Sequence, residues 1–399
     1  MQVLIVGGGI AGSVAAMAIH QAGITARVAE AYPPPNIEVG SYFNIAPNGL
    51  RALEAVDALH LAQAAGFPTR HNVMWSDSGH RLGSVPLGRP LADGTLAQTL
   101  KRSHLTSLLT DEVVRRGIRV DFGRRLIGAD LTADGRVEAW FDDGSQVDAD
   151  VLVGADGVHS TVRKLIDPAA PSGRYVGLTN FGGITTGVRL AAEPETWHLV
   201  FGRRAFFGYH LTPQGEVVWF ANVPRERIGP DEARSTTREQ WQAQLVDLFA
   251  DDRSPAAALV SDGTLELVAD NTHDLAHVPQ WRKGPMVIIG DAAHAPTPAS
   301  GQGASMASED AVVIAQALRD VPSVEGALAT YERLRRERVE NVVALGARGS
   351  SGKAPGRLGR LMRDVMLPLV FRYGVTEKSL AWLYDYRVDW YVPIELVSE

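Results

Sequence analysis

No cysteine occurs among the 399 residues. That excludes disulfides, cysteine nucleophiles and thiolate metal sites, and it suits a reducing compartment, so a cytoplasmic location is expected. Excess positive charge is missing too: 39 Lys and Arg stand against 46 Asp and Glu, a formal charge of −7, whereas a nucleic-acid binder carries a basic face. No apolar run reaches the roughly 18 residues, unbroken by glycine and charge, that a bilayer span needs, and no stable membrane insertion is expected. Repeats and long low-complexity tracts are absent. Lysine and arginine do not appear before Arg27; an export leader opens with cations, so the apolar start is expected to fold rather than to address the chain. With 45% hydrophobic residues, the chain has enough for two joined domains of roughly 100–200 residues each.

The opening MQVLIVGGGIAGSVAAMAIHQAGITARVAE parses as a strand over 3–6, a glycine turn, a helix over 11–20 and a second strand over 26–29 with Glu30 at its tip. Gly7, Gly9 and Gly12 fit GxGxxG with Ala11 inside it, and Glu30 follows the last glycine by 18 residues. In a strand–turn–helix, the first glycine permits the tight turn, the second lets the backbone approach a pyrophosphate, and the third lets helix and strand pack closely. The phosphates then sit on the helix N-terminus and the acid accepts a ribose hydroxyl. The fingerprint alone leaves FAD and NAD(P) both open.

A second concentration of glycine and acid lies far along the chain. GPMVIIGDAAHAPTPASGQGASMASEDAVVIAQAL predicts a strand over 286–289 with Gly290 and Asp291 at its C-terminal end, where doubly wound sheets bind ligands. A loop punctuated by Pro296 and Pro298 follows. Then comes a helix over 304–318, preceded by Gly301 and Gly303, whose N-terminus offers unpaired N–H groups. Asp291 taken alone also suits a helix cap. Between the two regions, DADVLVGADGVHSTVRKLI sets Asp156 and Gly157 after another strand and before a helix ending near Ile166. TADG and DDGS mark hairpin turns upstream. LAQTLKRSHLTSLLTDEVVRRG reads as a helix with Arg102 near its start, and breaks are expected at 33–40, 168–173, 229–239 and 346–357, the last as a linker.

Taken together, GxGxxG with Glu30, Arg102 in RSHL, GADGVHSTVR and GDAAHAPTPASGQGASMASEDA resemble, in order and spacing, the single-component flavoprotein monooxygenases of the para-hydroxybenzoate hydroxylase type. VVWFANVP and YERLRRERV look like family stretches as well, and the resemblance runs from residue 1 to about 340. It implies an α/β fold: a Rossmann-like FAD-binding domain of the GR2 type, an interleaved mixed or antiparallel β-sheet substrate domain, and a C-terminal helix. The corresponding segments are 1–173, with 70–100 contributing to the substrate domain, then 174–280, 281–345 and 346–399. The resemblance also implies bound FAD, NAD(P)H as a transient reductant without a nucleotide fold of its own, and O₂ as co-substrate; a monomer or a homodimer is expected.

By the same resemblance, Gly7, Gly9, Ala11, Gly12, Glu30 and Arg102 hold the ADP half of FAD or its neighbourhood. Asp156 with Gly157 serves FAD and NAD(P)H together, Asp291 beside Gly290 bonds the ribityl chain, and the backbone from Pro298 through Gly301 and Gly303 to Ala304 meets the flavin ring. His294 also falls in the motif and is read as structural. The implied reaction passes one oxygen atom from a flavin C4a-hydroperoxide to an aromatic or polycyclic small molecule, as hydroxylation first, with epoxidation and Baeyer–Villiger insertion open.

The runs between 174 and 280 are rich in aromatic and β-branched residues and predict a sheet with one buried face. Alternation puts Phe206, Gly208 and His210 on one face and Phe207, Tyr209 and Leu211 on the other. The Gly208 set leaves room for a ligand and is expected to face the flavin with Val218 and Phe220; with Pro296 these are the candidate substrate contacts, the other reading being plain core packing. His210 is the candidate catalytic base, since an imidazole near its ordinary 6.5 suits deprotonating a phenol. In the tail, apolar residues at helical spacing with Arg357, Arg360 and Arg363 opposite predict a helix packed on both domains, with cover for the entrance or subunit pairing as alternatives. A flavin-dependent halogenase is disfavoured, because no two tryptophans stand two apart and no lysine precedes Lys101. A reductase or dehydrogenase of the same fold and a non-catalytic flavin-binding partner stay open.

Overall fold

The structure, a computed structural model, describes residues 1–34, 40–350 and 357–395, without the side chains of 299, 347–350, 357–361, 363, 372 and 373. Arg357, Arg360 and Arg363 therefore lie outside the described side chains. Of the linker expected at 346–357, residues 346–350 are instead the last turns of helix Val324–Ser350, and 351–356 lie outside the described residues.

Short apolar runs ended by glycine build a parallel sheet. Strands Met286–Ile288, Val151–Gly154, Gln2–Val6, Thr25–Glu30 and Arg119–Phe122 lie side by side in that order, all parallel, and Arg282–Lys283 adds an antiparallel edge. The three strands Met286–Ile288, Val151–Gly154 and Gln2–Val6 are almost wholly buried, as a sheet covered on both faces demands. Helix Ile10–Gln21, buried from Ile10 through Ile19, packs against helix Gly303–Asp320. Being apolar all round, it is fit only for an interior. Strands Leu126–Leu131, Val137–Phe141 and Gln146–Ala149 form the expected hairpins, with Gly135 (φ +81°) and Gly144 (φ +78°) at the turns.

A second sheet runs Thr264–Asp274, Arg174–Thr185, Val217–Pro224, Phe206–Leu211, Thr196–Phe201, His71–Ser76 and Arg81–Pro86. Neighbours are antiparallel except Thr196–Phe201 with His71–Ser76. One face carries Phe207, Trp219 and Ala221, packed in one buried cluster with Trp241, Leu245 and Phe249 of helix Arg238–Phe249 and Leu259 of helix Ala256–Asp262. That leaves Phe206, His210, Val218 and Phe220 on the opposite face, which meets a small sheet of Tyr42–Ile45, Ala97–Lys101 and Gly66–Thr69.

Three expectations change here. LAQTLKRSHL is not one helix: Ala97–Lys101 is a strand paired on both sides, and the helix Arg102–Arg115 starts at Arg102, because two flanking partners outweigh local helix propensity. The break at 229–239 contains helix Pro230–Ser235, with proline in its first turn, and the start of helix Arg238–Phe249, where Thr237 and Gln240 form a capping box; both are helix-starting signals. The tail is two helices, Arg357–Tyr373 and Glu377–Tyr384, and Met362, Val365, Met366, Leu369 and Val370 are 45–61% exposed. The first helix thus does not pack through that apolar stripe; it leans on Gly83, where a Cβ would stand 2.5 Å from Phe371 Cβ. Among the described residues, no helix is long and apolar enough to cross a membrane.

Candidate active site

Three parallel strands end along one rim, each followed by a turn the sequence singled out. Gly7 N–H donates to Ala29 O (2.8 Å), Ala155 N–H to Val6 O (2.7 Å) and Ile289 N–H to Gly154 O (2.9 Å), so the ladder carries the backbones of all three turns to the same edge. The glycines at the first turn have separate jobs. Gly7 has φ +101°, and a Cβ on it would lie 2.4 Å from Ala155 O; a Cβ on Gly12 would lie 1.9 Å from Gly7 O; a Cβ on Gly9 would meet nothing within 4 Å. Gly7 and Gly12 are therefore required by the protein itself, and the space over Gly9 is open to a ligand.

The first bond inside helix Ile10–Gln21 is Ser13 N–H to Gly9 O (2.9 Å), which leaves the N–H groups before it, Ala11's among them, outside the helix's own ladder and pointing at the rim. An anion fits there. Glu30 Oε2 accepts the Gly8 N–H (2.5 Å) and Oε1 the Tyr32 N–H (2.9 Å), which fixes the carboxylate beside the turn. Arg102 is exposed at the start of its helix, with its N–H donating to Ser41 O (3.0 Å). Glu30→Ala is expected to raise the FAD dissociation constant by about tenfold or more, the worth of one hydrogen bond to a charged group. Fluorescence titration of apoprotein with FAD measures this, and unchanged affinity would remove Glu30 from the site.

The second end of the chain closes on the first. Gly290 has φ +57°, and a Cβ there would lie 3.1 Å from Ala11 Cβ and 3.3 Å from Ala307 Cβ. Asp291 follows in a tight turn, and its Oδ1 lies 4.0 Å from where a Cβ on Gly303 would stand. Gly301 is left-handed (φ +60°) with open space over it, and the first bond of helix Gly303–Asp320 is Met306 N–H to Gln302 O (2.9 Å). The N–H groups of Gly303, Ala304 and Ser305 precede that bond, and Pro298 is exposed ahead of them. These donors and the adjacent carboxylate suit a polar ring edge and a sugar-alcohol chain, and with the open space over Gly9 they fit FAD.

Asp156 stands on the rim with its carboxylate turned away from it. Oδ1 accepts the Ser160 hydroxyl (2.5 Å), and Oδ2 accepts the N–H groups of Thr161 (2.7 Å) and Val162 (3.1 Å), capping helix Thr161–Ile166. Burial raises its carboxyl against the pull of these bonds. Arg163, to which sequence reading gave no role, is buried and donates to Ala292 O (2.9 Å), Val158 O (2.6 Å) and Pro171 O (3.1 Å), tying the 155–160 turn to the Asp291 turn. Its signal was present as the last residue of GADGVHSTVR. His294 is buried with Nε2 2.6 Å from Asp310 Oδ2, in keeping with a structural histidine.

Phe206, Val218 and Phe220 share the expected face, joined by Trp197, whose ring centre lies 5.3 Å from that of Phe220, while Phe206 and Phe220 are 6.1 Å apart. The room expected over Gly208 does not exist: a Cβ there would lie 2.3 Å from the Phe220 ring, which occupies the space. Pro296 is half-buried in the loop instead, next to Ala295, whose carbonyl accepts the Leu275 N–H (2.9 Å) at the end of the large sheet.

His210 is 1% exposed, with Phe67 and Trp197 rings 4.9 and 5.6 Å away. Nδ1 lies 2.8 Å from Leu211 O and so carries the proton, and Nε2 faces the Thr69 hydroxyl at 3.3 Å. Burial pushes the imidazole down to about 4, which makes it a weak base at neutral pH. The folded state therefore binds fewer protons than the unfolded one between pH 6.5 and 4, and stability falls as pH falls through that window, by roughly 3 kcal/mol in total. His210→Gln is expected to flatten the melting temperature across this range; a slope equal to wild type would locate the titration elsewhere.

Past Phe67 a cavity of about 390 Å³ opens, lined among others by Tyr42, Pro68, Lys101, His104, Thr212 and Glu216. Burial and the charges of Glu266 and Glu216 raise the Tyr42 phenol to about 12, so it remains a donor. A larger groove of about 590 Å³ along helix Val324–Ser350 is lined by residues that pair with one another, Arg282 and Arg336 with Glu332 and Glu340, and it offers no aromatic floor.

A family described as FAD binding domain matches residues 1–345. Aurachin C monooxygenase/isomerase of Stigmatella aurantiaca is 30% identical over 360 residues, covering 86% of this chain and 87% of that protein. FAD-dependent urate hydroxylase of Klebsiella pneumoniae is 30% identical over 350 residues, covering 86% and 88%. The crystal structure of Klebsiella pneumoniae HpxO complexed with FAD and uric acid superposes with a TM-score of 0.82 at 25% identity, over 96% of this chain and 97% of that one.

Proposed function

Because this chain belongs to the FAD-dependent monooxygenases of the FAD binding domain family, we propose that it hydroxylates a planar aromatic heterocycle at the expense of NAD(P)H and O₂. The observation that carries this reading is the closing of two distant glycine turns on one rim, with Gly290 against Ala11. Urate, the substrate named for one relative, is such a planar heterocycle.

Bound FAD supplies the activation of O₂ and the transfer of one oxygen atom. The first-turn N–H groups of helix Ile10–Gln21 bind its pyrophosphate, Glu30 its ribose and Asp291 its ribityl hydroxyls. The backbone of 301–304 orients the ring edge. Asp156 acts by fixing the turn, its carboxylate being occupied by Ser160 and by the first N–H groups of helix Thr161–Ile166, and leaves the Gly157 backbone to face the cofactor. The aromatic wall of Trp197, Phe206 and Phe220 with Val218 excludes water, which limits loss of reducing equivalents as H₂O₂. His210 stiffens that wall as a neutral ring. The cavity past Phe67 is the substrate's approach, with the Tyr42 hydroxyl as a donor to it.

The test is to purify the protein, record its flavin spectrum and follow NAD(P)H and O₂ consumption with urate, 4-quinolones and hydroxybenzoates. Substrate-stimulated consumption with label from ¹⁸O₂ in the product supports hydroxylation. Turnover without O₂ uptake would mean a reductase, and a colourless protein that takes up no FAD would end the assignment.

A further inference from the structure

Behind the ring-side loop lies a chain of buried charges that the reaction does not use directly. Arg338, on helix Val324–Ser350, is 10% exposed and grips Glu309 with Nε and Nη2, both at 2.8 Å. Its Nη1 and Nη2 also donate to Trp382 O (2.8 Å) and Leu383 O (2.9 Å), carbonyls in the last turn of helix Glu377–Tyr384, and the Tyr386 ring lies 4.0 Å from the guanidinium.

From Glu309, 1% exposed, two arms reach the loop. In one, Asn48 Nδ2 donates to Glu309 Oε1 (2.7 Å) and to Gln302 Oε1 (2.9 Å), just before the free N–H groups of helix Gly303–Asp320. In the other, Arg335 bridges Glu309 Oε2 (2.7 Å) and Asp310 Oδ1 (2.7 Å), and Asp310 Oδ2 accepts the Gly290 N–H (2.9 Å). Both arms end on the turns that the FAD reading assigns to the ring and the ribityl chain.

The four charges sum to zero, which is what lets them stay buried. Such a network stabilises a fold little more than well-packed apolar side chains would, and its best-attested use is to fix one arrangement out of several. We infer that Arg338 is a positioning residue for the flavin, setting the height of the 290–303 loop against helix Glu377–Tyr384 as anchor. The inference rests on the FAD reading above.

Arg338→Lys keeps the charge but cannot hold Glu309 and both carbonyls at once. Measured on purified protein, it is expected to raise the FAD dissociation constant about three- to thirtyfold, the range by which network residues modulate a distant site. It should also shift the flavin absorbance bands and raise the fraction of NAD(P)H recovered as H₂O₂. Arg336→Lys, two residues away on the same helix in partly buried pairs with Glu332 and Glu340 and bonded to the carbonyls of Val278 and Pro279, should move none of these. If Arg338→Lys does not fold, Asn48→Ser, which cuts only the Gln302 arm, should give the same spectral and affinity shifts. Wild-type affinity, spectrum and peroxide fraction in the folded variant, or equal shifts from Arg336→Lys, would overturn the inference; a wild-type protein without flavin would instead overturn the reading beneath it.

Discussion

Replacing Gly12 with valine is expected to give protein that neither holds FAD nor folds stably, while Gly9→Ala folds like wild type and binds FAD poorly. The two glycines are three residues apart in one motif, and the structure separates their jobs. A Cβ at 12 would lie 1.9 Å from Gly7 O and 3.0 Å from Gly7 C. Gly7 is itself hemmed in, since a Cβ on it would lie 2.4 Å from Ala155 O and its N–H is committed to Ala29 O at 2.8 Å. Helix and strand must therefore part, exposing the interior of helix Ile10–Gln21, at a cost on the order of 4 kcal/mol or more. At Gly9 the backbone is ordinary (φ −71°, ψ −166°) and a Cβ finds empty space. That space is where a pyrophosphate would approach, so the methyl group competes with the ligand alone. The check is thermal unfolding of both variants as apoproteins, followed by FAD titration. A folded, yellow Gly12→Val would refute the packing argument; full FAD affinity in Gly9→Ala would refute the placement of the phosphates.

The strand–turn–helix at the start was legible because every part of it is local: the apolar strand, three glycines and the acid all fall within residues 2–30. The turn after strand Met286–Ile288 and the helix start near Gly303 were legible for the same reason. Alternation also gave the right partition of Phe206–Leu211 into two faces, since side-chain direction in a strand is a property of the strand alone. Room over Gly208 was not legible, because Phe220 from the adjacent strand fills it. Pairing register decides that, and alternation carries no information about a neighbour's volume. The titration of His210 was misjudged for a related reason: an unperturbed imidazole describes an exposed ring, and only the assembled sheets bury this one. Nothing local in the sequence marks Glu309, Asp310, Arg335 and Arg338 as buried. It takes the docking of helix Val324–Ser350 on helix Gly303–Asp320 to turn them inward.

That inward turn makes Asp310→Ala a large expected loss of stability. Asp310 is fully buried and serves three donors: Gly290 N–H, His294 Nε2 and Arg335 Nε. Without it, Arg335, itself 0% exposed, keeps only half its countercharge, and the Gly290 turn loses its acceptor. Breaking a buried pair from one side costs about 3–5 kcal/mol, which in a chain of this size lowers the melting temperature by about 4–6 °C. Burial alone would raise the Asp310 carboxyl; His294 and Arg335 outweigh it and hold the group down at about 2. A depressed carboxyl adds stability above its unfolded value, near 3.8, and loses it as pH falls toward 2. This window lies below the one assigned to His210, so the two titrations can be told apart by variant. Chemical unfolding from pH 7 to pH 2.5 should show His210→Gln lacking the loss between 6.5 and 4, and Asp310→Asn lacking the loss below 4. An Asp310→Ala protein as stable as wild type at pH 7 would mean that Arg335 finds another partner, and the buried network would then not be the rigid support of the flavin loop.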